Sequence, residues 1–142
     1  MRVIVIMRYP SFESTIREGV AKINPERVSD IVFADPSGLE EMVRANEPTL
    51  VITCQRFGTK RDGEGKEVER PTGCDLAGTI KGINPGAICL VFGRDPPVGD
   101  RRVDGFVPPL EQGGLDVIAR LLASDLSGAT PASIRARFQE IQ

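Results

Sequence analysis

The sequence predicts a doubly wound α/β domain, in which helices cover both faces of a parallel sheet. Two observations carry this prediction: five short, mostly β-branched apolar runs, and segments with helical spacing between most of them. Short apolar runs bounded by turns are typical of buried strands in parallel sheets. Alternating strands and helices join through right-handed crossovers, which place helices on both faces. We therefore expect a flavodoxin-like, five-stranded parallel sheet with the strand order 2-1-3-4-5.

The five predicted strands are each near the preferred strand length. They are Arg2–Met7, Val28–Phe33, Thr49–Cys54, Ala87–Phe92 and Val103–Val107. In this strand order, the functional crevice lies beyond the carboxyl ends of the strands, at the switch point between the first and third. Arg8, Asp35 and Cys54 stand at the ends of the first three strands, so we expect them there.

Two helices are predicted between the first three strands. Ser11 is the expected N-cap of the first, which ends at Asn24. In the second, Ser37 as N-cap and Glu40 three residues later form a capping box, and Pro48 ends the helix. The predicted inward residues are Phe12, Ile16, Val20 and Ile23 in the first helix, and Met42 and Val43 in the second.

Three further helices follow the third and fifth strands. Residues 1–126 should form one α/β domain, followed at 127–142 by a linker and an amphipathic helix that packs on this domain or on a partner. Thr130 is the expected cap of that last helix and Pro131 its first residue. The inward residues are Leu76, Ile80 and Ile83; then Leu115, Ile118, Leu122 and Leu126; and finally Ile134, Phe138 and Ile141.

Two connections depart from an even alternation of strands and helices. The polar segment 56–72 has no apolar period and predicts a long loop at the rim of the crevice. It is either a solvated surface loop or a lid or partner-binding loop. The segment Gly93–Arg102 contains two prolines and leaves no room for an ordinary helix before the fifth strand. The fourth helix should be missing or reduced, which would leave one flank of the sheet only partly covered.

Composition and motif tests exclude several function classes. Eighteen basic and 20 acidic side chains, with a formal charge of −2, provide no overall field for nucleic acid or an anionic membrane. The "GEGK" at 63–66 fails as a P-loop because Lys60 replaces the first glycine and Glu67 replaces the serine or threonine. Pro10 occupies the turn where a dinucleotide-binding glycine motif would lie. We expect no cofactor, no nucleic acid and no membrane partner.

The three cysteines and the absence of histidine restrict the catalytic and metal-binding roles that are open to the chain. Cys54, Cys74 and Cys89 have gaps that match neither CxxC redox nor zinc-ribbon spacing, which predicts reduced thiols in a cytoplasmic protein. No histidine is present to activate a nucleophile or ligate zinc, and we expect no metal site. Cys54 is either a packing residue or a redox-sensing thiol activated by Arg8 or Arg56.

Three segments, "EPTLVITCQRF", "LAGTIKGINPGAICLVFGRD" and "VDGFVPPLEQGGLDVIARLLA", resemble the receiver domain of two-component response regulators. The resemblance places Met7 and Arg8 at the positions of the acidic pair that binds magnesium. It places Cys54 at the phosphoacceptor aspartate, Gly93 at the threonine or serine, and Pro108 at the lysine. These replacements imply a pseudo-receiver that works without phosphorylation, as a signalling or scaffold module binding a protein partner or a second copy.

Two function classes remain open from the sequence. Besides the interaction module, the chain is compatible with an enzymatic or small-ligand-binding α/β domain whose loop 56–72 closes over Cys54, Arg8 and Asp35. In that case the ligand would contact Arg56, Lys60 and Arg61. Arg8 is either a fixed charge in place of the receiver metal or an ordinary surface arginine. The linker-like "SGAT" at 127–130 is also compatible with a domain of a longer regulator.

Overall fold

The computed structural model describes residues 3–46, 50–94, 99–126 and 128–142. These residues form seven strands and five α-helices. The strands are β1 (Val3–Ile6), β2 (Ile31–Ala34), β3 (Leu50–Cys54), β4 (Thr59–Arg61), β5 (Glu67–Glu69), β6 (Ile88–Phe92) and β7 (Gly105–Val107). The helices are α1 (Pro10–Ile23), α2 (Leu39–Asn46), α3 (Gly73–Ile83), α4 (Gly114–Ala123) and α5 (Pro131–Ile141).

The main sheet has five strands, all parallel, in the order β2-β1-β3-β6-β7. This is the predicted flavodoxin-like order, since β4 and β5 pair only with each other. The central strands β1, β3 and β6 are buried along their whole length, which explains why Thr53 is their single polar residue. Right-handed crossovers from β1 to β2 and from β3 to β6 run in opposite directions, so α1 and α3 cover opposite faces.

Helix α1 begins one residue before the predicted cap. Pro10 is its first residue, where the missing N–H costs nothing, and Tyr9 rather than Ser11 is the N-cap. The helix ends at Asn24 as predicted, and its inward residues Ile16 and Val20 are buried. Ile23 is wrong as a core residue, because its side chain is 53% exposed at the end of the helix.

The second strand is shorter than predicted at its start. Residues Val28 to Asp30 belong to a 3-10 helix, Pro25–Asp30, and β2 begins at Ile31. Asn24 caps this short helix by accepting a hydrogen bond from the backbone N–H of Glu26. Proline directly after a capping asparagine favours such a turn, which a short apolar pattern does not reveal.

Helix α2 begins at Leu39, so Ser37 lies in the turn before it and is not its N-cap. The Ser37 hydroxyl and backbone N–H both donate to Oδ1 of Asp35, at 2.7 and 2.8 Å. Gly38, with φ of +70°, connects this turn to the helix. The predicted capping box with Glu40 is therefore replaced by an Asx turn at Asp35. Pro48, the predicted end of this helix, lies outside the described residues.

The later helices follow the predicted pattern closely. Thr72 forms a capping box with Asp75 at the start of α3, and Thr130 forms one with Ser133 at the start of α5, where Pro131 is the first residue. The buried faces of these helices contain most of the predicted apolar residues: Leu76 and Ile80 in α3, Ile118 and Leu122 in α4, and Ile134 and Phe138 in α5.

The segment 56–72 contains an antiparallel hairpin, so the prediction of a loop without secondary structure is wrong. Strand β4 pairs with β5, and "GEGK" lies in the turn between them. Asp62 closes the turn by accepting from the backbone N–H groups of Glu64 and Lys66. Most of the hairpin side chains are exposed, and Val68 is the single apolar residue in the two strands. No alternation of apolar and polar residues therefore predicted the hairpin.

The described part of the connection between β6 and β7 contains no helix, in agreement with the prediction of a missing fourth helix. Residues 95–98 of this connection lie outside the described residues. Arg102 ties the remainder to α3 by contacting Asp75 and Asp100, at 2.8 and 2.7 Å. Helix α5 packs against α4 and β6. Its Phe138 also lies close to Gly105 of β7, where a Cβ would be 2.5 Å from the Phe138 ring.

Candidate functional site

The carboxyl ends of β1, β3 and β6 open onto a crevice of about 510 Å³ at the switch point between β1 and β3. Three strand ends, the first turn of α1 and the segment after β7 form its walls. The residues that line it are Arg8, Tyr9, Phe12, Cys54, Gln55, Arg56, Phe92, Gly93, Arg94, Pro109, Leu110 and Glu111.

Cys54, the last residue of β3, is a buried neutral thiol. Its side chain is 6% exposed and its Sγ donates to the carbonyl of Arg56 at 3.5 Å. Burial raises the pKa of Cys54 to about 11, although a hydrogen bond with the Arg8 backbone and the positive charge of Arg8 act in the opposite direction. The thiol is therefore protonated near pH 7, which disfavours a role as nucleophile.

Arg8 extends across the crevice rim from the end of β1. Its guanidinium lies over the Tyr9 ring, with Cζ 4.8 Å from the ring centroid. On another side it packs against Gly58, where a Cβ would be 2.9 Å from Nη2. Gly58 also has φ of +82°, and this left-handed conformation is the reason that glycine is favoured there. Arg8 is exposed but held against protein groups.

Asp35 is separate from the crevice. With Met7 and Arg8 it borders a neighbouring hollow of about 210 Å³. Hydrogen bonds from the Ser37 side chain and backbone lower the pKa of Asp35, so its carboxylate is already engaged. Within the part of the chain that the structure describes, Arg8 and Asp35 form no ion pair.

The remaining candidate residues divide between the crevice and its surroundings. Gly93 lines the crevice in a left-handed conformation, with φ of +143°, and donates from its N–H to the carbonyl of Val107. Arg56 also lines it and pairs with Glu69 of the hairpin at 2.9 Å. Pro108 is exposed and borders another hollow beside β7.

The hairpin residues Lys60 and Arg61 are exposed and do not line the crevice. The structure therefore brings together Arg8, Cys54, Arg56 and Gly93, each of which ends a strand or lies within two residues after one. None of the hairpin residues 59–69 is among those that line the crevice.

Gln55 is a site residue that the sequence reasoning missed. Its buried side chain accepts a hydrogen bond from the backbone N–H of Cys74, and its carbonyl accepts from that of Gly73. Its own N–H donates to the carbonyl of Phe92. Gln55 therefore joins β3, β6 and the start of α3, and its position directly after Cys54 was the available signal.

Arg94 and Glu111 were also missed, and they face each other across the mouth of the crevice at 3.6 Å. Burial raises the pKa of Cys74 and raises that of Cys89 to about 12, so neither thiol offers a reactive thiolate. Across residues 3–46, 50–94, 99–126 and 128–142, there is no cluster of three cysteine, aspartate or glutamate side chains able to hold a metal.

No family model matches the chain, and neither does any curated protein. Its fold is that of solved response regulators. Two structures of the RcsB response regulator from Salmonella typhimurium, studied for conformational dynamism in DNA interaction, superimpose with TM-scores of 0.54 and 0.59 at 18% and 21% identity. The aligned regions cover 98% and 99% of this chain and 67% and 66% of those chains.

An atypical orphan response regulator, described as having a phosphorylation-independent regulatory mechanism, superimposes with a TM-score of 0.52 at 14% identity. This match covers 98% of this chain and 96% of that one. Together with the strand order, these likenesses establish a flavodoxin-like receiver fold. In the described residues, no helix has the length and apolar character needed to cross a membrane.

Proposed function

We propose that this chain is a receiver-like signalling module that acts through protein contacts and without phosphorylation. The observation that carries the proposal is the buried, protonated thiol of Cys54 at the end of β3, where the resemblance to receivers would place the phosphoacceptor aspartate. A thiol cannot form the acyl phosphate that an aspartate forms. The phosphorylation-independent mechanism of the atypical orphan regulator of similar fold supports the same interpretation.

The charge of the crevice supports this proposal independently. A receiver pocket gathers carboxylates whose mutual repulsion a divalent cation relieves. Here Arg8 follows β1 beside the crevice, and Asp35 is turned toward Ser37. A fixed guanidinium opposes the binding of Mg²⁺, which is the cation that phosphorylation of receivers requires. Arg8 in place of the receiver metal remains part of this proposal.

The surface beside β7 is the proposed interaction site for a protein partner or a second copy. β7 is an edge strand, and no helix of the described residues lies between it and β6 in sequence. Phe106 of β7 is half-buried and borders a hollow of about 730 Å³ with Pro108. An edge with an accessible apolar side chain is a common protein-binding surface.

The helix at 131–141 belongs to this proposed surface. It packs on the sheet through Ile134 and Phe138, and Gln142 after it donates to the carbonyl of Phe106. We propose that residues 1–126 are the receiver-like unit and that 127–142 modulate its interaction surface. The three free thiols are compatible with a reducing, cytoplasmic setting, which is also part of the proposal.

An amide NMR titration with Mg²⁺ and beryllofluoride, a mimic of aspartyl phosphate, tests the proposal. We expect no saturable shifts at Arg8, Asp35 or Cys54. A receiver domain with an intact aspartate pocket, titrated in parallel, serves as the positive control. Saturable shifts clustered at the crevice that require both Mg²⁺ and beryllofluoride would show that a carboxylate there binds the phosphoryl mimic, and the proposed function would be wrong.

A second candidate is the small-ligand-binding or enzymatic domain expected as the alternative from the sequence. The size of the crevice favours ligand binding, because pockets of about 300–1,000 Å³ are typical of small-molecule sites. Enzymatic chemistry has less support, since Cys54 is protonated, Asp35 lies outside the crevice and none of the hairpin residues 59–69 lines it.

A further inference from the structure

We infer that the crevice binds a small organic anion, with an oxyanion head against the arginines and an apolar body against the aromatic wall. The ligand class is an aromatic or branched carboxylate or phosphate monoester. This inference rests on the proposed function, because it assigns a regulatory ligand to a crevice that is not phosphorylated.

The charges around the crevice favour an anion. Three arginines line it, from the ends of β1, β3 and β6, whereas Glu111 is the single carboxylate among the described residues that line it. The planar guanidinium presents paired N–H donors that match the two oxygens of a carboxylate or phosphate. The neutral Cys54 thiol adds no opposing charge. A small anion is therefore attracted from several sides.

Arg8 is the arginine with the most capacity to bind a ligand. No carboxylate in the described residues lies within ion-pair distance of its guanidinium. Contact with the Tyr9 ring and with Gly58 restricts its motion before any ligand arrives. Such preorganisation reduces the entropy lost on binding. Arg8 therefore contributes, at a defined position, a positive charge that no carboxylate of the described residues pairs with.

The two other arginines have partners that a ligand can replace. Arg94 and Glu111 are 3.6 Å apart, with side chains 76% and 61% exposed, so their pairing contributes little. Arg56 pairs with Glu69 at 2.9 Å, but both side chains are also largely exposed. A ligand oxyanion inside the crevice, where less water competes, is the better acceptor for these guanidiniums.

The wall of the crevice accounts for the apolar body of the ligand. Phe12, Phe92, Leu110 and Pro109 line it, and Phe92 and Leu110 belong to the hydrophobic core, so this part of the wall is fixed. The combination of a rigid apolar wall with a few converging polar groups is typical of small-molecule sites. An inorganic anion would leave this wall in contact with water, which is why we assign an organic one.

Amide NMR titrations with benzoate and phenyl phosphate test the inference, with uncharged benzamide and inorganic phosphate as matched probes. We expect saturable shifts at residues 8, 54–56 and 92–94 with one or both aromatic anions. Benzamide and inorganic phosphate should each bind at least about tenfold more weakly, since each lacks one half of the recognition. The two aromatic anions distinguish a carboxylate from a phosphate head.

Two variants identify the arginine responsible. R8Q should weaken binding of the better aromatic anion by about tenfold or more, since a hydrogen bond to a charged group is lost. R44Q, which removes an exposed arginine from α2 outside the crevice, should leave it unchanged. Because both side chains are exposed, both variants should fold, and matching amide spectra without ligand would verify it.

Three results would overturn the inference: no saturable shift with either aromatic anion, equal binding of benzamide or inorganic phosphate, or equal binding by R8Q and the wild type. Its failure is distinguishable from failure of the proposed function. A phosphorylated product in the intact mass spectrum after incubation with acetyl phosphate and Mg²⁺, with acetate as the leaving group, would refute the proposed function. An absence of anion binding with an unchanged mass would overturn the ligand assignment alone.

Discussion

Replacing Asp104 with alanine should destabilise the fold, because this carboxylate joins three segments at the start of β7. Its side chain is 9% exposed and accepts hydrogen bonds from Lys81 of α3 at 2.7 Å and from Arg135 of α5 at 3.0 Å. It also accepts from the backbone N–H of Cys89 at 2.8 Å, while the Asp104 N–H donates to the Cys89 carbonyl. The side chain thereby extends the hydrogen-bond ladder of β6 by one step.

The expected loss follows from these three contacts. An unsatisfied N–H at buried Cys89 costs about 1–3 kcal/mol, and removal of the partner of half-buried Lys81 adds roughly 1 kcal/mol. Arg135 is largely exposed and contributes little. The total is about 2–4 kcal/mol, which for a domain of this size lowers Tm by roughly 10 °C.

Urea unfolding followed by far-UV circular dichroism measures this loss. Asp116→Ala is the matched control, because Asp116 forms an exposed pair with Arg120 within α4 and its removal should cost no more than about 0.5 kcal/mol. If Asp104→Ala and Asp116→Ala have equal free energies of unfolding, the assignment of Asp104 as a buried link between α3, β6 and α5 is refuted.

Three further predictions concern pH, packing and thiol reactivity. Burial raises the pKa of Asp104, but hydrogen bonds from Lys81 and its other partners outweigh burial and lower the pKa from 3.8. The carboxylate therefore stabilises the fold above that value, and this stabilisation is lost as pH falls through the pKa of the folded state. The difference in free energy of unfolding between the wild type and Asp104→Asn should shrink from about pH 5 to pH 2. Gly105→Ala should cost about 1–3 kcal/mol, because the new Cβ would lie 2.5 Å from the Phe138 ring, and adding Phe138→Leu should recover part of the loss in a double-mutant cycle. Burial raises the pKa of Cys54 to about 11 from 9.0, so at pH 8 it should react with iodoacetamide roughly a hundredfold more slowly in the folded than in the denatured protein. Mass spectrometry follows this reaction, and equal rates would contradict the burial of Cys54.

The main sheet was predictable because burial leaves a local record in the sequence. Each β-branched run that crosses the core is apolar except for Thr53, and the helices between the runs repeat their apolar residues at helical spacing. Strand order and crossover handedness then placed Arg8 and Cys54 at one edge, where the structure has them. The capping residues Thr130 and Pro131 were equally visible, since capping acts between near neighbours.

Features with a weak local pattern were missed. The hairpin of β4 and β5 has Val68 as its single apolar residue, so its pairing leaves no alternation of buried and exposed positions. The 3-10 helix at Pro25–Asp30 replaced the first half of a predicted strand for a similar reason, since a few apolar residues fit either conformation.

The sequence by itself determined the fold class, the strand order and the crevice edge that receives Cys54. Only the tertiary structure decided the partners of the side chains there: Arg8 contacts Tyr9 and Gly58, whereas Asp35 binds Ser37. Hydrophobic periodicity records whether a residue is buried, because that depends on one element and its nearest face. Which polar groups contact each other depends on distances of a few ångströms between segments far apart in the chain, and the sequence pattern does not indicate these distances.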